Sequence, residues 1–96
     1  MTYCTISVTK RDLADGKKHN PWRCAVARAA KRALAVRSWS SVSVGDGHLF
    51  AFLPAKAGRF AVPLPESVCL AIGRFDLGEP VEPFAFRLNL TEAALG

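Results

Sequence analysis

Apolar and polar positions change period several times along this chain, and each change marks an element. Residues 3–9, YCTISVT, alternate strictly: Cys4, Ile6 and Val8 point one way, and Tyr3, Thr5, Ser7 and Thr9 the other. A period of two with β-branched residues predicts a half-buried strand. The polar stretch KRDLADGKKHN predicts a basic loop with one helical turn at RDLAD. At Asn20 the period lengthens to that of a helix. Asn20 suits the N-cap and Pro21 the first helical position, so a helix is expected from there to about Ala35. At about 100° per residue, Trp22, Val26, Ala29, Ala30 and Ala33 share an apolar face. Arg28, Lys31 and Arg32 fall opposite, with Cys24 among them.

The stretch WSSVSVGDGHLFAFL reads as a hairpin. Val42 and Val44 alternate with Ser41 and Ser43, Gly45-Asp46-Gly47 supplies a tight turn, and Leu49 to Leu53 returns. A second turn is expected at PAKAG and a short strand at RFAVPL. Pro65 opens a second helix, PESVCLAIGRF, with Val68, Ala71, Ile72 and Phe75 on one face and Glu66 in the first turn. Gly78 is the expected left-handed cap at its end. The last strand, VEPFAFRLNL, puts Phe84, Phe86, Leu88 and Leu90 on one face. Pro83 lacks an N–H, so that end of the strand is expected at an edge or outside the ladder. TEAALG is expected to fray. The order β-α-β-β-β-α-β with alternating strands predicts an α+β two-layer domain: a mostly antiparallel sheet packed on one face by two helices.

Length changes this picture little: 96 residues make one domain, 1–96. Charge changes it more. Residues 1–37 hold nine basic side chains against Asp12 and Asp15, a balance of +7 within a total of +5; residues 38–96 hold four against six, a balance of −2. Such asymmetry points to an acidic partner. The candidate binding residues are Arg11, Lys17, Lys18, Arg23, Arg28, Lys31 and Arg32. The last helical trio is expected on an exposed face, where its removal would leave stability almost unchanged. No apolar run is long enough to span a bilayer. The start of the chain lacks a signal-peptide pattern, so a cytoplasmic protein with free thiols is expected.

Catalytic chemistry finds little support. Cys24, near a helix start with Arg28 one turn on, is a possible reactive thiol. A nucleophile also needs a positioned base, and only His19 and His48 are available. Cys4, Cys24 and Cys69 lack the paired spacing of a zinc site, so no metal and no cofactor is expected. Asp12 and Asp15 are expected to cap a turn, and Asp76 to close FDLG. The reading is of a protein that is not an enzyme.

LPESVCLAIGRFDLGEPVEPFAFRL resembles a pattern in small proteins of tailed phages and prophages, many from high-GC actinobacterial hosts. The matching positions are Leu64, Pro65, Ile72, Phe75, Asp76, Gly78, Val81, Pro83, Phe84 and Phe86. TKRDLADG, from Thr9 to Gly16, and CAVARAAKRA, from Cys24, resemble two further segments of that group. Ala25 departs from it where proline is usual. So do Cys69 and Leu70, where basic residues are common, and Ala71, where Phe is common. The resemblance implies a phage accessory protein. Such a protein would bind a host protein or ribonucleoprotein with an acidic surface through the basic helix, in host takeover or as an anti-defence inhibitor of the anti-CRISPR kind. The alternative is a weakly specific nucleic-acid-binding module. Trp22 lies on the expected apolar side, and Trp39 and Tyr3 are unplaced, which leaves the basic face without a stacking aromatic.

Overall fold

The alternation at the start of the chain becomes strand β1 (Tyr3–Val8), and a short helix α1 (Lys10–Asp15) follows it. Then come α2 (Ala25–Ala35), a three-strand meander of β2 (Ser40–Gly45), β3 (His48–Leu53) and β4 (Gly58–Pro63), then α3 (Glu66–Asp76) and β5 (Phe84–Asn89). These elements come from a computed structural model that describes residues 3–35, 40–45, 47–53 and 58–90. The expected PAKAG turn (but for Gly58), the TEAALG tail, Asp46 and Trp39 lie outside the described residues. No helix among the described residues is long and apolar enough to cross a membrane.

The fold is α+β, with every strand pair antiparallel. The expected single sheet is instead two: β1 pairs with β5, and β2-β3-β4 form the other. Helix α2 is what separates them. Ala25, Val26, Ala27, Ala29, Ala30 and Leu34 are all buried, an apolar arc much wider than one face. One side of that arc lies against β1 and another against β2, so the helix serves both sheets. Alanine suits this position, because a methyl group lets the backbones approach closely while it excludes water.

Each sheet turns its apolar side inward. Cys4 faces Leu88 and Ile6 faces Phe86 across the β1–β5 pair, all four side chains buried. In the meander, Val44 pairs with Leu49 and Leu49 with Val62, again buried. The β2 alternation breaks where the register shifts between Ser40 and Ser43, with Ser41 at φ 53°. This bulge turns Ser43 inward beside Val42 and Val44, contrary to its expected outward place.

Helix α3 starts after Pro65 as expected and ends in a Schellman motif. The Glu79 N–H donates to the Arg74 carbonyl and the Gly78 N–H to that of Phe75, with Gly78 at φ +79°. A different constraint holds Gly16, between α1 and the turn before α2. A Cβ there would stand 2.7 Å from both the Ala25 nitrogen and the Asp12 carbonyl oxygen. The exposed Gly73 of α3 has open space instead. Thermal melting of three variants therefore separates three effects. Gly16→Ala is expected to cost about 1–3 kcal/mol from overpacking, and Gly78→Ala about 1–2 kcal/mol from its left-handed backbone. Gly73→Ala is expected to gain up to about 1 kcal/mol.

Candidate functional site

The segment between α1 and α2 is built differently from the expected helix start. Asn20 accepts from the backbone N–H groups of Trp22 and Arg23, so it caps a separate turn over residues 20–24. The Pro21 carbonyl accepts from the Val44 N–H, which ties that turn to β2. Helix α2 begins only at Ala25. The Cys24 carbonyl accepts from the Arg28 N–H, and its sulfur accepts from the Ala27 N–H at 3.4 Å. Cys24 is therefore the N-cap of α2, with sulfur in the place of a serine oxygen.

Two expectations fall with the displaced helix start. Cys24 does not sit among the basic side chains but is buried, because the turn ahead of α2 re-aims it inward. Burial pushes its thiol up from the usual range, the backbone N–H groups of Ala27 and Val26 only partly opposing, and Asp76 adds to the rise. The thiolate needed for a reactive cysteine is thus disfavoured at the position proposed for it. Trp22 is likewise not on an apolar face. It precedes the helix and is 46% exposed.

Behind this turn lies Asp12, only 1% exposed. It sits in a capping box: the Thr9 N–H donates to its carboxylate at 2.9 Å, and its own N–H donates to Thr9 Oγ1 at 3.2 Å. The two outer nitrogens of Arg32 grip the carboxylate from α2, at 3.1 Å and 2.8 Å, and one of them also donates to the Ser7 carbonyl of β1. These Arg32 hydrogen bonds are the main reason that the Asp12 carboxyl is lowered to about 2, against the opposing cost of burial. Arg32 is raised in turn by the same pairing. Arg28 lies farther off, its Nε 3.7 Å from Asp12 and its Nη2 3.7 Å from Asp15. Lys31 donates from Nζ to the Trp22 carbonyl and braces the turn against α2. The basic trio is therefore not a set of free surface charges. Arg32 is a structural tie, and its removal strands a buried carboxylate.

In front of these ties, Lys17, Arg23, Arg28, Lys31 and Arg32 line one cleft of about 430 Å³ together with Trp22 and Asp15. The structure thus brings together five of the seven expected binding residues. Arg11 stands outside, paired with Asp15 at 3.2 Å, and Lys18 reaches instead toward Gly78. Lys17 and Arg23 are exposed and have no ion pair among the described residues. Trp22 is the cleft residue that helical periodicity hid. The local signal for Asp12 is T-x-x-D at Thr9, a capping-box spacing.

A second cavity, about 300 Å³, is lined in part by His19, Cys24, Cys69 and Asp76. Asp76 is expected to close the FDLG turn, but backbone hydrogen bonds close it, and the Asp76 carboxylate instead accepts from the His19 backbone N–H at 2.9 Å. No group of three or more His, Cys, Asp or Glu side chains is placed to hold a metal among the described residues. No family model matches the chain, nor does any curated protein or any solved structure.

Two measurements check this geometry. The folded state favours ionised Asp12, so its stabilisation, about 2 kcal/mol, is full above the ordinary carboxylate value of 3.8. It is lost as pH falls from there through about 2. Urea titrations along that range should show a steep loss for the native chain and a flatter profile for Asp12→Asn. Arg32→Ala should cost about 2–3 kcal/mol at neutral pH. Among the thiols, Cys69 should alkylate well before Cys4 and Cys24 in the native state, since those two are buried and Cys69 is only half-buried. Cys24→Ser should hold stability within about 0.5 kcal/mol because the hydroxyl keeps the cap, whereas Cys24→Val should lose about 1 kcal/mol. Cys4→Ser, with its hydroxyl among apolar side chains, should lose about 1–3 kcal/mol.

Proposed function

We propose that this chain is a small non-catalytic binding protein that takes an acidic macromolecule into the cleft between the 17–23 segment and α2. One observation carries the reading: basic side chains from two separate segments converge on one concavity, and Lys17 and Arg23 there have no ion pair among the described residues. A charge that only keeps a domain soluble needs no such convergence. The likeness to small proteins of tailed phages supports an accessory role against a host macromolecule in the host cytoplasm, through binding and not through chemistry.

Heparin, a flexible polyanion, gives the test. Lys17→Glu with Arg23→Glu should elute at clearly lower salt than the native chain, with stability held within about 0.5 kcal/mol. Lys10→Glu with Arg74→Glu changes net charge equally but outside the cleft, and should elute near the native position. Equal losses in both double variants would reduce the cleft to one part of a diffusely charged surface.

A further inference from the structure

The geometry points to single-stranded nucleic acid as the occupant of the basic cleft, with one base stacked on the Trp22 indole and the flanking phosphates on Lys17, Arg23 and Lys31. This inference rests on the cleft reading above and narrows its partner. A protein partner can also bury a Trp side chain, but a nucleic acid presents a flat π face and charged phosphates in one repeating unit, which matches an exposed indole flanked by cations. Trp22 is 46% exposed at the cleft, and its ring has no aromatic or cation partner among the described residues. An indole left open beside guanidinium and ammonium groups is the arrangement that takes a base face and its phosphates together.

The rest of the site favours the same occupant. The Trp22 carbonyl accepts from Lys31, and Asn20 holds the Trp22 backbone N–H, so the indole stands on a braced turn. Bracing lowers the ordering cost of binding. Duplex DNA hides its base faces in the stack, whereas a single strand exposes them. The cleft therefore prefers the single strand, and stacking makes the preference tolerant of sequence.

The test uses the purified full chain with an oligothymidine of about 15 nucleotides and the matching duplex, read by fluorescence anisotropy. The native chain should bind the single strand more tightly. Trp22→Ala should weaken single-strand binding about 10-fold or more while duplex binding stays unchanged, and Trp22→Phe should restore most of the loss. Lys17→Ala with Arg23→Ala should make the slope of log affinity against log salt shallower by about 1.4 on the single strand. Circular dichroism keeps a folding defect distinct from a binding defect. Equal binding of both DNA forms, with Trp22→Ala without effect, would overturn the stacking inference and leave the cleft reading standing. Binding of polyglutamate but of neither DNA form would overturn nucleic acid as the class, again with the cleft intact. Failure on every polyanion, heparin included, would sink both.

Discussion

One carboxylate holds three elements in place. Asp12 closes the first turn of α1 through Thr9, and takes the guanidinium of Arg32 from α2, which in turn reaches the Ser7 carbonyl at the end of β1. Burying an ion is costly unless each of its lone pairs finds a donor, and here backbone, hydroxyl and guanidinium donors all converge. The angle between α1 and α2 follows from that requirement. So does the wall of the cleft, since the segment from Gly16 to Cys24 has to cross from one helix to the other beside the pair.

The alanine-rich helix supplies the second constraint. Because α2 is buried against β1 on one side and β2 on another, its polar residues are confined to the narrow strip that remains. Arg28, Lys31 and Arg32 occupy that strip, and close spacing of like charges would be unfavourable without the carboxylates of Asp12 and Asp15 behind it. Packing therefore sets the crowding of the α2 cations, while Lys17 and Arg23 join them at the cleft from a separate segment.

The parts legible in the sequence are those ruled by short-range physics. The alternation of Cys4, Ile6 and Val8, the apolar side of β5, the N-cap of α3 at Pro65 and the left-handed Gly78 just beyond its C-cap all depend on neighbours within a few residues. What escaped depends on distance or on a single dihedral choice. The Asp12–Arg32 pair joins residues 20 apart in the chain, so no local pattern reveals it. A helical wheel drawn from Pro21 places Cys24 outward and Trp22 inward. Four residues of turn reverse both, since the wheel has no meaning before Ala25. All five basic residues that line the cleft are nevertheless legible, because charge asymmetry survives a misplaced helix start. The division into two sheets was not, because alternation says which side of a strand is buried but not which strand lies beside it.

The pairing of β1 with β5 sets residue 3 beside residue 89. On a ribosome, then, β1 waits for β5. Until β5 emerges, Cys4, Ile6 and Val8 have no cross-strand partner, and the edge of β1 that β5 covers is open to other chains. The meander, by contrast, pairs strands that follow one another directly and can form as soon as it is made. This molecule should thus be assembled from its middle outward, with α2 already seated on the meander and offering its other side as the surface on which the two distant strands meet.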